Sequence, residues 1–516
     1  MASGWGEIVN FHAIGLHLVW INAMLLPSGK VLMYSRNPAT ENGNTHSTFA
    51  YTWDASTATA TPVPAHNPMS DMFCSGMVVL PDGRVFAAGG HIADDTGTLH
   101  TNLFNTLTNQ WVRGPYMAYP RWYPTCTTLP DGRVFIASGT MTPSTGAAPV
   151  PEIYDPKTNR VFEVPSATMR QHYYPFHFVA PNGKLFWAGG GNQTYMNNGK
   201  VSRFLNLATM QWEPMLETAE AGTKYGSAVM YEPGKILKSG GKNARVYGGP
   251  EEVFRPSTAA ADLIDLNLPN PKWVSKQSGK SVQPMNFNRW QHTLTVLPDG
   301  TVFCNGGTNR VYSGAEPEMS GDQNYTQAEL FTPGTDSDGQ PTGTWTLLPG
   351  NAQRPRWYHS TQLLLPDGRI LTMGGDNSSK PPVPHDQELA QYYYPPYFDL
   401  YSSILPQPQI LSCPPQIRYG TKFRVAHDAN LTNPAPKAAL IALGSVTHGF
   451  DMNQRLVWLP YDHLKKELAA PVSPNIAPPG YYMLFLLDRR GDSGALAPSK
   501  ASIVRVMSAP TSGAMP

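Results

Sequence analysis

The sequence predicts an all-β chain: a seven-bladed β-propeller followed by an immunoglobulin-like β-sandwich. Three observations carry that prediction. A hairpin phrase recurs seven times, its spacing stays near 50 residues, and the composition is rich in turn-formers and poor in charge. The 516 residues include 46 Gly and 50 Pro, and only 15% are charged. Both values run against long amphipathic helices.

Each copy of the phrase is an apolar strand, a Pro-Asp-Gly-Arg-like turn, a second apolar strand and, in most copies, a closing Gly-Gly. The copies are MLLPSGKVLM (Met24–Met33), MVVLPDGRVFAAGG (Met77–Gly90), CTTLPDGRVFIASG (Cys126–Gly139) and FVAPNGKLFWAGG (Phe178–Gly190). VMYEPGKILKSGG (Val229–Gly241), LTVLPDGTVFCNGG (Leu294–Gly307) and LLLPDGRILTMGG (Leu363–Gly375) complete the set. Asp-Gly or Asn-Gly between apolar runs signals a tight hairpin, because glycine takes positive φ without steric cost. The turn glycines (Gly29, Gly83, Gly132, Gly183, Gly234, Gly300, Gly368) are 54, 49, 51, 51, 66 and 68 residues apart. That period, with Gly-Gly ending a strand, fits a kelch-type blade. One hairpin cannot bury both faces, whereas four-stranded blades packed radially do. Seven copies, against a sandwich with chance turns, predict a propeller over residues 1–403.

The segment from 404 to 516 lacks the phrase. Six short proline-punctuated strands follow the Tyr-rich stretch Gln391–Ser403. Their spacing predicts a separate β-sandwich of immunoglobulin-like size. Four cysteines (Cys74, Cys126, Cys304, Cys413) make no disulfide framework. The net charge of +1 argues against nucleic acid or an anionic membrane as a partner. The apolar run Ile14–Leu26 contains His17 and Asn22 and is too short to span a membrane. No membrane span is expected, no signal peptide is visible, and a monomer is expected. Asn-x-Ser/Thr tripeptides start at Asn192, Asn324, Asn377 and Asn430, a number chance supplies.

The turn glycines also serve as a ruler. Nine residues before them stand Trp20, Cys74, Tyr123, Tyr174, Tyr225, Gln291 and His359. Equivalent early positions of the inner strands crowd the propeller axis, so these side chains converge at one mouth of the channel. Flanking them are RWYPTC (Arg121–Cys126), RWYHS (Arg356–Ser360), RWQHT (Arg289–Thr293) and RQHYYPFH (Arg170–His177). The last two read as structural caps of blade entries. Around Tyr123, Tyr358 and His359, Tyr and His donors point to a metal that accepts N and O ligands, such as copper, zinc, iron or nickel. Phenolate ligation needs a strong Lewis acid. Adjacent residues of a strand face opposite sides. Tyr358 and His359 can therefore share one ion only where a strand begins.

With these motifs the chain resembles the galactose oxidase / glyoxal oxidase family of copper-radical oxidases over nearly its whole length. The RWY before both tyrosines is closer to the glyoxal oxidase branch. The resemblance implies a thioether between Cys74 (DMFCSG) and Tyr123 (RWYPTC), forming a protein-derived radical cofactor. It implies one copper ion held by Tyr123, His359, His448 (GSVTHGFDMNQR) and, axially, Tyr358. Tyr358 would serve as general base and the linked Tyr123 as hydrogen-atom acceptor, with dioxygen leaving as hydrogen peroxide. Ala477–Gly491 resembles the family's C-terminal sandwich. Two departures stand out. The sequence opens at the first blade, so no preceding carbohydrate-binding domain is expected. Where galactose oxidase places a Trp that stacks on the linked Tyr, this chain has Met141; Trp20, Trp122 and Trp290 are the candidates to replace it.

Small aldehydes reacting as hydrates (glyoxal, methylglyoxal, glycolaldehyde) are the expected substrates, with Tyr174, Tyr225, Gln291 and His292 placed to position them. Primary alcohols are the alternative. The competing class is a non-enzymatic kelch propeller that binds protein or glycan; it gives no reason for Cys74, Tyr123 and His448 to converge. Peroxide production and the family's habit predict a secreted or cell-envelope location.

Overall fold

The computed structural model describes residues 2–508 apart from 12, 14–15, 17–18, 37–47, 65–70, 94, 191–201, 217–224, 242–256, 276–281, 310–324, 376–387 and 429. His17, Asn192, Asn324 and Asn377 fall outside the described residues. The repeat builds seven antiparallel sheets arranged as a propeller, and a β-sandwich follows. Among the described residues no helix is long and apolar enough to cross a membrane.

Every copy of the phrase supplies the two inner strands of a blade. In the second blade, Gly76–Val79 pairs with Val85–Ala88, and Thr101–Asn105 and Gln110–Arg113 complete the sheet. At the turn, Gly83 has φ 92°, donates its N–H to the Leu80 carbonyl (2.9 Å), and is flanked by Asp82, whose carboxylate accepts the Arg84 N–H. The fifth blade has three paired strands, with a single bridge from Leu263 to Val274 at its outer edge.

Blade one is not built from the start of the chain. The N-terminal strand Gly4–Asn10 instead pairs with Leu389–Tyr394 and forms the outer edge of the seventh blade. The ring is thus closed by hydrogen bonds between the two ends of the propeller segment.

The closing Gly-Gly of the phrase has a packing role. In blade after blade it is where the Arg-Trp segment of the next blade nests. The Gly90 N–H reaches the Arg121 carbonyl (2.9 Å), Gly241 reaches Arg289 (2.7 Å) and Gly307 reaches Arg356 (2.5 Å). A Cβ on Gly306 would overlap the Arg356 carbonyl oxygen, and Gly306 has φ +75°. The arginines are buried and brace their own blade. Arg121 bonds Ser138 O and pairs with Glu152; Arg289 bonds Gly306 O and pairs with Glu329. Alanine at Gly306 should therefore cost ~3 kcal/mol or more of stability. At Gly339, which shares the positive φ but has nothing within 4 Å, it should cost ~1 kcal/mol. Equal falls in thermal-unfolding midpoint for the two variants would contradict this account.

The C-terminal sheet runs in the order Gln416–Arg418, Ser502–Met507, Gly480–Phe485, Lys437–Ala442, Leu456–Asp462, Glu467–Ala469, Lys422–Arg424. Its core is Ile417, Leu440, Val457, Leu459, Leu484, Val504 and their neighbours. The sandwich sits against the turn face of the propeller. Gly83 lies against Tyr481, Gly132 against Pro479, Gly183 against Asn475 and Gly300 against Trp458. The strand entries, nine residues back, are at the opposite end of the inner strands.

Candidate metal centre

Six of the seven ruler positions share one backbone feature. Cys74 (φ 62°), Tyr123 (68°), Tyr174 (48°), Tyr225 (54°), Gln291 (63°) and His359 (65°) are all left-handed. That conformation is rare for bulky residues and costs ~1–3 kcal/mol each, so the surroundings must impose it. Backbone bonds between blades do so. The Tyr123 N–H donates to Cys74 O (3.0 Å), Tyr174 to Tyr123 O (2.9 Å) and Gln291 to Tyr225 O (2.7 Å). Equivalent residues of successive blades are thus stitched around the mouth.

The seventh blade carries one extra residue. Arg121 and Arg289 stand two residues before Tyr123 and Gln291, whereas Arg356 stands three before His359. Arg356 is anchored as its counterparts are, to the Gly374 and Leu389 carbonyls (2.7 Å each). The added residue is Tyr358. The strand begins only at Ser360, so Tyr358 and His359 escape strand alternation. Their rings lie 3.8 Å apart, nearly parallel.

His448 arrives from the sandwich. Ser445–Thr447 pairs with Asn22–Leu25 and so extends the first blade inwards, and a two-residue turn returns the chain through Phe450–Asp451. His448 (φ 50°) and Gly449 (φ 78°) form that turn, the pattern of a type I′ hairpin. The hairpin is fastened from several sides. Thr447 Oγ1 donates to Ile21 O (2.9 Å), Ser227 Oγ to Gly449 O (2.6 Å), and Asp451 accepts the N–H groups of Ser445, Asn453 and Gln454.

The five residues meet. The Tyr123 and Tyr358 hydroxyls are hydrogen-bonded to each other. His448 Nε2 lies 3.1 Å from Tyr123 Oη and 3.5 Å from Cys74 Sγ. The donor atoms of Cys74, His359 and His448 lie within 4.8 Å of one another. The His448 ring centroid is 4.8 Å from that of His359 and 5.3 Å from that of Tyr358. Thr447 Oγ1, 2.7 Å from His448 Nδ1, orients the ring and leaves Nε2 facing the cluster, a common second-layer contact in metal sites. Burial pushes the His448 imidazole down to about 3, so it is neutral and able to ligate. Burial, then the neighbouring Cys74, Tyr358, Tyr225 and Tyr174, drive the Tyr123 phenol well above its ordinary value. A phenol so placed ionises only if a cation comes with it.

Of the three candidate tryptophans, Trp122 lies on Tyr123, with ring centroids 3.8 Å apart at 15°. Tyr174 covers the other face at 4.8 Å and 23°. Trp20 packs instead on Phe11 and Tyr51, and Trp290 on Tyr225. Tyr225 stands edge-on to Tyr358 at 6.0 Å. His292 does not line the mouth: it is fully buried, bonds Ser239 Oγ at 2.9 Å and is pushed down to about 3 by burial. Strand alternation turns it away from the neighbouring Gln291.

The family model for the N-terminal part of glyoxal oxidases matches residues 21–397. The chain belongs to the glyoxal oxidase family of copper-radical oxidases. A galactose oxidase-like early set domain matches residues 407–506. A galactose oxidase of Gibberella zeae is 29% identical over 97% of this chain and 70% of its own length. Aldehyde oxidase GLOX of Vitis pseudoreticulata is 27% identical over 81% of this chain and 80% of its own. Among solved structures, a fungal alcohol oxidase in complex with copper superposes with a TM-score of 0.76 at 23% identity, covering 98% of this chain and all of the other. At that identity the likeness is one of fold.

Proposed function

We propose that this glyoxal oxidase family member oxidises small aldehydes, as their hydrates, to carboxylic acids, with dioxygen reduced to hydrogen peroxide. The observation that carries the reading is the meeting of the Tyr123 and Tyr358 hydroxyls with His448 Nε2, beside His359 and Cys74. Two phenol oxygens and two imidazoles are a donor set suited to copper(II). Tyr123, Tyr358, His359 and His448 would hold the ion, which supplies Lewis acidity and a one-electron redox partner.

The remaining steps fall to the chain's own residues. Tyr358, half-buried at the strand entry, accepts the proton of a substrate hydroxyl. Tyr123, linked to Cys74 and covered by Trp122 and Tyr174, accepts the hydrogen atom from the same carbon. Sulfur on the ring donates electron density and eases one-electron loss. The surrounding aromatic rings keep water from the oxidised phenol. The net reaction turns one hydrate and one dioxygen into one acid and one peroxide.

Primary alcohols are the second reading, favoured by the relative named galactose oxidase. We place the division between the catalytic propeller and the His448-bearing sandwich at residue 404, and the site of action outside the cytoplasm, where peroxide does least harm. Peroxide-coupled assays of the copper-loaded protein across aldehydes and alcohols test the reading. Turnover should be highest with glyoxal or methylglyoxal. Peroxide from primary alcohols alone would favour the second reading, and none from either class would reject both.

A further inference from the structure

We infer that Tyr174 and Tyr34 are positioning residues for the bond between Cys74 and Tyr123: together they clamp Ser75, and so hold the Cys74 sulfur in place beside the Tyr123 ring while the thioether forms. The inference rests on the thioether of the function proposed above.

Tyr174 touches three parts of the centre at once. Its ring lies on the Tyr123 ring, with centroids 4.8 Å apart at 23°, and its centroid is 5.0 Å from that of His448. Its N–H donates to the Tyr123 carbonyl at 2.9 Å. Its hydroxyl donates to the Ser75 carbonyl at 3.2 Å. Tyr174 is 1% exposed, too buried to meet a substrate at the mouth, so the sequence-based expectation of that role is not met. Tyr34 holds Ser75 from the first blade. Its Oη lies 2.8 Å from Ser75 Oγ and 3.2 Å from Met77 Sδ. Tyr34, Cys74 and Ser75 are all fully buried.

The backbone here needs such a clamp. Cys74 is left-handed at φ 62°, a conformation that a residue other than glycine keeps only where its surroundings impose it. Ser75 follows directly, and all its polar groups are engaged: its N–H on the Met72 carbonyl (3.1 Å), its carbonyl by Tyr174, its hydroxyl by Tyr34. Gly76 brings the neighbouring blade close. A Cβ there would lie 2.6 Å from the Pro124 carbonyl oxygen and 3.1 Å from Cys126 Sγ. The inner strand that begins after Cys74 therefore runs tight against the one that carries Tyr123. Cys74 Sγ and Tyr123 Oη come to lie 3.5 Å and 3.1 Å from the same His448 nitrogen.

The step forms one S–C bond, between Cys74 Sγ and a Tyr123 ring carbon beside the hydroxyl. The thiol S–H and the ring C–H are broken. Their two protons and two electrons convert dioxygen to hydrogen peroxide. Tyr174 and Tyr34 are unchanged by it. They fix the approach of sulfur to ring, and bond formation is steeply sensitive to such placement.

The rate of the two-hydrogen mass loss tests the clamp, followed by intact-mass measurement of the full chain after copper(II) is added in air. Tyr174→Phe keeps both ring contacts and removes only the hydroxyl. Its maximal rate should fall by ~5-fold or more, the scale of one hydrogen bond. Tyr34→Phe should behave alike. The copper concentration giving half the maximal rate should not move, since neither residue is a proposed ligand. A merely structural role would not separate rate from binding in this way. The copper-free melting temperature shows that each variant folds. If either does not, Ser75→Ala replaces it: it removes the hydroxyl facing Tyr34 and should slow the loss equally. Native rates in the folded variants, or slow rates matched by weaker copper binding, overturn the clamp. No mass loss in the native chain rejects the thioether itself, so the two readings fail separately.

Discussion

Serine in place of Cys74 should lower turnover by ~10³-fold or more, equal to ~4 kcal/mol of transition-state stabilisation, while the protein stays folded. Serine keeps the size and hydrogen-bonding reach of cysteine but cannot form the thioether. Cys74 is fully buried, held left-handed at φ 62°, and its sulfur faces the same His448 nitrogen as the Tyr123 hydroxyl. Its carbonyl accepts the Tyr123 N–H, so sulfur and phenol come from adjoining blades already stitched together. Joining them removes one hydrogen from the thiol and one from the ring, with dioxygen as acceptor. Intact-mass measurement after copper treatment in air should show this two-hydrogen loss in the native chain and not in Cys74→Ser. On a denaturing gel the native chain should also migrate differently, because the bond closes a loop between residues 74 and 123. Trp122→Leu separates cross-link from shield: the mass loss should persist while the oxidised form decays faster. A Cys74→Ser enzyme with native turnover would remove the radical from the mechanism.

How much of this was legible in the sequence depends on which contacts repeat. The turn glycines repeat, and counting back from them reaches Cys74, Tyr123 and His359, because equivalent residues of a propeller share one radius. The left-handed backbone at these positions left no mark, since tyrosine and cysteine do not advertise positive φ. Tyr358 falls one residue off the count, and aligning on Arg-Trp instead shows why: Arg356 stands one residue further from His359 than Arg121 does from Tyr123 or Arg289 from Gln291. His448 lies outside the repeat. Its signal was local and weak, a His-Gly pair between Thr447 and Phe450. Nothing in the sequence couples that hairpin to Asn22–Leu25, more than 400 residues away. The closing strand Gly4–Asn10 was missed for the same reason. Among Trp20, Trp122 and Trp290 the choice required coordinates, because all three occupy blade entries and only the packing around each ring differs.

Alanine in place of His448 should abolish turnover and the thermal stabilisation by copper together. An ion that binds only the folded chain stabilises it by ~2.7 kcal/mol at 100 times its dissociation constant. Losing one of the proposed ligands should leave no melting-temperature shift at the same copper concentration. The hairpin has anchors independent of the imidazole, at Ile21, Ser227 and the three N–H groups on Asp451, so the copper-free variant should melt close to the native chain. Thr447→Val tests the layer behind. It removes the hydroxyl beside His448 Nδ1 and should weaken copper binding ~10–100-fold, the usual cost of losing an orienting contact. His427→Gln, on a short strand of the sandwich whose imidazole bonds the Asp428 carbonyl, should change neither readout. A native copper shift in His448→Ala would mean that the ion sits on the propeller's own donors and that the sandwich hairpin serves only to plug the channel. Loss of the shift with an unchanged copper-free melting temperature places one ligand of the centre in a different domain from the rest. The sandwich would then be part of the active site, and separating it from the propeller should destroy metal binding even if each part folds.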